Sequence, residues 1–245
     1  MTAIDDVVIL CGGRGTRLQE HAQAIPKPLV EIGGMPIVWH VIQIYAAHGL
    51  RRFMLCTGYR GELIEEFVDS REWPPGVIVR CVDTGVDTQT GGRIKQAGML
   101  LGERSFCATY ADGVADIDIG RLIGYHRGHG GLATMTVVRP EIQFGIAELD
   151  GNLRVRGFRE KPRTEDWVNG GFFCFEPGAL RYIADDSVLE RDPLERLAAL
   201  GHLHAFPHHG FWECVDTYKD AVQLNDLWAA GRAPWRVWER CAPLS

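Results

Sequence analysis

The sequence predicts an α/β fold in which a mixed, mainly parallel sheet is flanked by helices and followed by a smaller β-rich subregion. Three features point there. Short β-branched or aromatic runs alternate with amphipathic stretches up to residue 140, a glycine-rich turn follows directly on the first run, and beyond Pro140 extended runs replace the alternation.

In chain order, the strands of the first half read as residues 7–11, 52–57, 77–82, 105–110 and 133–138. Helical patterns fill the gaps at 36–48, 62–70, 92–101 and 118–129. The first places Ile37, Val41, Ile42 and Tyr45 at helical spacing and meets a stop at Gly49. After Pro140 come extended runs at 145–149, 153–158 and 171–176, the first two joined by turn residues Asp150, Gly151 and Asn152. Helical stretches at 177–184 and 193–200, a histidine-rich strand and turn over 202–209, an extended piece at 211–215 and a last helix at 218–230 complete the chain. There is no internal repeat, low-complexity tract or linker. The expectation is one domain over 1–245, with halves 1–140 and 141–245.

Composition excludes several classes. With 46% hydrophobic and 24% charged residues the chain is neither disordered nor fibrous. No apolar run approaches the 18 or so residues of a membrane-spanning helix. A net charge of -6, from 26 basic and 32 acidic side chains, supplies no broad cationic surface for nucleic acid. Met1 leads into Asp5 and Asp6 without a basic start and apolar stretch, so no secretory signal is expected. The seven cysteines include no C-x-x-C pair, and Cys11, Cys56, Cys81, Cys107 and Cys174 lie within apolar runs, as reduced core residues do. A cytoplasmic protein is expected.

The first strand runs into Cys11-Gly12-Gly13-Arg14-Gly15-Thr16-Arg17 at the sheet edge where open α/β folds bind ligands. Glycines let backbone N–H groups approach phosphate oxygens. The lysine of a P-loop and the third glycine of a dinucleotide fingerprint are both absent. Arg17 and Lys27, the latter stiffened between Pro26 and Pro28, bring two cations to that loop. A triphosphate-sized site and a glycine turn with two solvated cations are the readings left open.

The order of motifs narrows them. LCGGRGTRL at 10–18 with PKPLVEIGGMPIVWH at 26–40 resembles the opening of the sugar-1-phosphate nucleotidylyltransferases. DTGVDTQTGGRIK from Asp83, YADGVADI from Tyr110, FREKP from Phe158, NGGFF from Asn169 and GFWECVDT from Gly210 resemble its branch of cytidylyltransferases acting on glucose 1-phosphate. The matches span Val7 to about Trp235.

That resemblance implies a Rossmann-like nucleotidyltransferase fold. It also implies transfer of CMP from CTP to glucose 1-phosphate with release of pyrophosphate, a Mg²⁺ cofactor and a homo-oligomer. It assigns nucleotide binding to Leu10, Cys11, Gly12, Gly13, Arg14, Gly15, Thr16, Arg17, Lys27, Thr88, Arg93 and Ala111, and catalysis to Arg17, Lys27, Asp112 and Lys161. Asp112 and Asp216 become the metal ligands; Gly145, Glu160, Lys161, Asn169 and Gly170 bind the sugar phosphate. The residues alone also allow Asp112 and Asp216 to be turn or helix-cap aspartates, Glu160 and Lys161 a solvated pair, the glycines bulges, and Arg93 and Lys95 a solvated helix start. A different sugar 1-phosphate, or a nucleotide-sugar sensor without turnover, are the rival functions.

His202, His204, His208 and His209 have no acidic or thiol partner at metal-ligand spacing and read as structural. Trp39 and Trp212 read as core or interface. Three departures from the family pattern stand out. Cys11 replaces an alanine, placing an oxidisable thiol beside the loop. Glu213 and Cys214 replace glutamine and proline, adding a carboxylate near Asp216. The stretch from Gly61 to Val82 is short where relatives carry a segment linked to nucleotide coverage and subunit contacts.

Overall fold

The computed structural model describes residues 4–13 and 25–240. In chain order the elements are β1 (Asp6–Leu10), β2 (Glu31–Ile32), β3 (Met35–Pro36), α1 (Ile37–Ala47), β4 (Arg52–Thr57), α2 (Gly61–Asp69), β5 (Ile78–Asp83), α3 (Thr90–Leu101) and β6 (Phe106–Tyr110). Then follow β7 (Gly113–Ala115), α4 (Ile119–His129), β8 (Ala133–Val138), β9 (Ile146–Leu149), β10 (Val155–Arg159), β11 (Val168–Phe175), α5 (Asp192–Ala199), β12 (Leu203–Pro207), β13 (Trp212–Cys214) and α6 (Tyr218–Ala229).

Seven strands form one sheet in the order β12-β8-β11-β6-β1-β4-β5. The run β6-β1-β4-β5 is parallel, β11 is antiparallel to both neighbours, and β12 is parallel to β8. The sheet is therefore mixed and mainly parallel, and residues on both sides of Pro140 build it. Strand alternation explains why both faces carry helices. On β1, Val7 and Ile9 join the core beneath α1, α2 and α4, while Val8 joins the opposite core with Ile94, Ala97 and Leu197 from α3 and α5. Phe172 and Cys174 face the first of these cores, Phe173 and Phe175 the second.

The elements follow the sequence pattern with local differences. Residues 177–184 form a 3-10 turn, Pro177–Tyr182, in place of an α-helix, consistent with the Pro177-Gly178 start. The Gly33-Gly34 turn between β2 and β3 escapes a periodicity reading because each strand has two residues. Its glycines have φ of 60° and 77°, the left-handed conformation a tight hairpin demands. β9 and β10 form a separate two-stranded ribbon. Among the described residues no helix is long and apolar enough to cross a membrane.

Candidate active site

The carboxyl ends of β1 and β6 open onto one cavity of about 370 Å³, lined by Gly12, Gly13, Lys27, Thr88, Arg93 and Asp112 among others. Leu10, Cys11 and Ala111 also line it. Arg14, Gly15, Thr16 and Arg17 lie outside the described residues.

Arg93 builds the floor of this cavity. The guanidinium, on a residue only 3% exposed, donates to the Thr57 carbonyl at 2.7 Å, to Thr84 Oγ1 at 2.5 Å and to the Gly12 carbonyl at 3.0 Å. Burial depresses its pKa, and the buried thiols of Cys56 and Cys11 act in the opposite sense. A Cβ on Gly12 would come within 2.0 Å of Arg93 Nη1, so only glycine allows this contact. Arg93 is thus no solvated helix-start residue, and Lys95 pairs with Asp185 at 2.9 Å. Thr88 hydroxyl donates to the Thr84 carbonyl at 2.5 Å, closing the turn beside it.

Asp112 and Asp216 reach each other through backbone pairing. β7 and β13 are antiparallel, Cys214 opposes Gly113, and Val215 N–H donates to the Asp112 carbonyl at 2.9 Å. Between the two carboxylates lies Lys27, its Nζ 2.5 Å from Asp112 Oδ2 and 2.7 Å from Asp216 Oδ1. Neither aspartate caps a helix. Thr217 caps α6, with Asp220 reciprocating to the Thr217 N–H at 2.7 Å, and Asp118 caps α4. The Asp216 carboxylate instead accepts from Lys27 Nζ.

A second cavity of about 280 Å³ adjoins the first, sharing Tyr110 and Asp112 and adding Asn169, Gly170, Trp212 and Asp216. Trp212 Nε1 donates to the Gly170 carbonyl at 2.8 Å and fixes that wall. Asn169 Nδ2 donates to Tyr110 OH at 3.1 Å, Tyr110 OH donates to Glu190, and Glu190 also accepts from Thr90 Oγ1 at 2.8 Å. Burial and the Glu190 charge push the Tyr110 pKa well up, keeping the phenol protonated. Sequence reading missed Tyr110, Thr90 and Glu190, because nothing in their spacing announces a network across three elements.

Gly145, Glu160 and Lys161 stand on or beside the β9–β10 ribbon, outside the lining of both cavities. Phe158 and Glu160 pack over Gly145 so closely that a Cβ there would meet the Phe158 ring at 2.3 Å. Lys161 is exposed, has a left-handed φ of 44° and pairs with no described residue, so it is not the partner of Glu160.

Two features expected near the loop differ. Cys11 is 1% exposed, and burial holds its thiol pKa well above the ordinary value, so it is not a reactive thiolate. Glu213 does not add to the Asp216 site: alternation along β13 turns it into a separate cavity with Glu141 and Arg163. There burial, then Asp220 and Glu141, raise its pKa. His204 stacks on His129 at 3.8 Å, and His208 pairs with Asp116 at 3.1 Å; Trp39 packs edge-on against Trp238.

Among the described residues no group of three or more His, Cys, Asp or Glu is placed to hold a metal. The pair Asp112 and Asp216 nevertheless suits magnesium, which favours hard oxygens and shares its shell between one or two carboxylates and substrate phosphates. Both carboxylates already converge on a cation, the Lys27 ammonium.

Comparison with known proteins places the chain in a family. The family model described as Nucleotidyl transferase matches residues 6–229. The chain is 41% identical to Glucose-1-phosphate cytidylyltransferase of Salmonella typhi, over 95% of this chain and 99% of that protein. It is 39% identical to Probable glucose-1-phosphate cytidylyltransferase of Bacillus subtilis (strain 168), over 94% and 99%. The Salmonella typhi alignment spans 256 positions against 245 residues here, so that relative carries residues this chain lacks. The crystal structure of HddC from Yersinia pseudotuberculosis superposes with a TM-score of 0.75 at 23% identity, covering 92% of this chain and all of that one. At that identity the likeness shows the fold alone.

Proposed function

The chain belongs to the nucleotidyl transferase family, and we propose that it is a glucose-1-phosphate cytidylyltransferase, moving CMP from CTP to α-D-glucose 1-phosphate and releasing pyrophosphate. The observation that carries the site assignment is the meeting of Asp112 and Asp216 at one ammonium, on the boundary between the glycine-loop cavity and the Asn169 cavity.

An oxygen of the sugar phosphate attacks the α-phosphorus of CTP, and the bond to the β-phosphate oxygen breaks. The second pKa of a phosphate monoester is about 6, so the nucleophile is already charged at neutral pH and no general base is needed. What the protein supplies is alignment and charge. The glycine loop, with Arg14, Gly15, Thr16 and Arg17, receives the triphosphate. Leu10, Cys11, Thr88 and Ala111 wall the nucleoside, and Arg93 holds the floor against which the loop rests. Asn169 and Gly170 receive the sugar in the second cavity; Gly145, Glu160 and Lys161 stand on or beside the β9–β10 ribbon outside that lining, and their part in holding the sugar and its phosphate is carried by the family resemblance alone. Asp112 and Asp216 would hold Mg²⁺, which supplies Lewis-acid stabilisation of the charge on the departing pyrophosphate.

We further infer a cytoplasmic enzyme of one domain that works as a homo-oligomer and binds no nucleic acid. The six described cysteines carry free thiols, which suits a reducing compartment, and the net charge is -6.

The test is pyrophosphate release over a grid of CTP, UTP, dTTP and GTP with several sugar 1-phosphates. CTP with glucose 1-phosphate is expected to lead. Release with another nucleotide and none with CTP overturns the base; CTP binding without turnover on any sugar overturns the enzyme.

A further inference from the structure

Two carboxylates drawn to one point on the rim of a phosphate-sized cavity form a cation site, and here the cation belongs to the chain itself. Lys27 starts a single 3-10 turn, with Pro26 before it and buried Pro28 after, so its backbone is held while its side chain reaches across. That side chain is only 17% exposed, and its two contacts, 2.5 and 2.7 Å, are charge-assisted hydrogen bonds.

We propose that Lys27 is the resident counterion of the metal site: without nucleotide it occupies the place the divalent ion takes, and metal entry breaks both of its ion pairs and sends the ammonium to the triphosphate. This rests on the assignment of Asp112 and Asp216 as metal ligands, and adds an order of events to it. Charge explains the order. Among the described residues, two carboxylates and one ammonium meet here and sum to a single negative charge. A divalent ion arriving alone would strand a half-buried ammonium beside a like charge, which is unfavourable at short range in a low-dielectric pocket. Nucleotide removes the conflict, because Lys27 also lines the cavity that holds Gly12 and Gly13. A swing of its side chain then exchanges two carboxylates for phosphate oxygens. Metal and CTP therefore bind cooperatively, and each raises the affinity of the other by the same factor.

Manganese, counted as free ion by electron paramagnetic resonance, tests this without turnover. The wild-type enzyme is expected to bind Mn²⁺ weakly alone and at least about tenfold more tightly with CTP present. K27Q, which keeps a polar side chain but no charge, should bind Mn²⁺ without nucleotide at least about tenfold more tightly than wild type, and CTP should then add little. Equal or weaker Mn²⁺ binding by nucleotide-free K27Q overturns the exchange. Should K27Q fold poorly, equal Mn²⁺ affinities of the wild type with and without CTP overturn it as well. D216N separates the two levels: if it binds Mn²⁺ with CTP as tightly as wild type does, the ligand assignment itself falls, and the exchange with it.

Discussion

Val215 N–H donates to the Asp112 carbonyl at 2.9 Å, joining the end of β13 to the turn after β6. This one backbone bond explains how aspartates distant in sequence come to share a site, since each is the next residue or the same residue as its partner in the bond. D112N and D216N each remove a charge that faces Lys27 and, in the proposed reaction, the metal. Each should lower kcat by about 100-fold or more, in the range found when a group stabilising transition-state charge is lost. Pyrophosphate release at saturating CTP and sugar phosphate measures this; a rate near wild type in either variant removes that residue from the metal site.

Gly12 and Arg93 act as one unit. Because a Cβ on Gly12 would collide with the Arg93 guanidinium, G12A must push Arg93 out of its three bonds or lift the glycine loop. We expect a CTP KM raised about tenfold or more and a lower Tm, as a buried cation loses partners. R93K should not restore function when compared with R93A, since one ammonium cannot span the Thr57, Thr84 and Gly12 acceptors. Full activity in G12A would show that the loop does not depend on its contact with Arg93.

Acid should weaken the fold through His40. Its Nε2–H donates to the Ile32 carbonyl at 2.8 Å, while Nδ1 accepts from Trp235 Nε1 at 3.3 Å within a cage that includes Trp228 and Trp238. A proton on Nδ1 would face the Trp235 N–H. Burial accordingly lowers the pKa to about 4, with the Ile32 and Met35 backbone opposing it. The folded pKa lies below the ordinary 6.5, so the neutral ring's stability is complete above pH 6.5 and is lost as pH falls towards 4. His129, also lowered to about 4 by burial, His204 and His126, adds in the same direction. For His40 the loss across that window is roughly 3 kcal/mol. Urea midpoints at pH 7 and pH 4.5 measure it, and H40Q, which removes this titration, should show a smaller drop; an equal drop would place the sensitivity elsewhere.

Part of the fold and of the site is legible in the sequence. The glycine loop reads from the sequence because phosphate binding needs bare backbone at a strand end, and the strands β1, β4 and β6 read because a doubly covered sheet demands continuous apolar runs. The pairing of Asp112 with Asp216 came only from family resemblance, since β7 and β13 have three residues each and carry no periodicity. The resemblance places Arg93 among the nucleotide-binding residues, and its three bonds to protein oxygens are not legible in the sequence, because they depend on the Gly12 carbonyl lying beside its guanidinium. Glu213 is near Asp216 in sequence and not in the site, because three residues along an extended segment is an odd step and turns the side chain to the opposite face.

Tyr110 links the two cavities, and its removal should separate the substrates. Its hydroxyl accepts from Asn169 and donates to Glu190, which in turn receives Thr90 at the start of α3. Y110F deletes both bonds while leaving the ring packed edge-on against Phe173. Asn169 then loses a fixed partner beside Gly170, and Glu190 loses one of its two donors. A hydrogen bond to a charged group contributes about 1.5–3 kcal/mol, so the sugar-phosphate KM should rise roughly tenfold or more. E190Q keeps an acceptor for Tyr110 and should do less harm than E190A, a rescue that bulk alone would not give. If Y110F raised the CTP KM and left the sugar-phosphate KM unchanged, Tyr110 would serve the nucleotide wall alone, and Asn169 would hold its place without it.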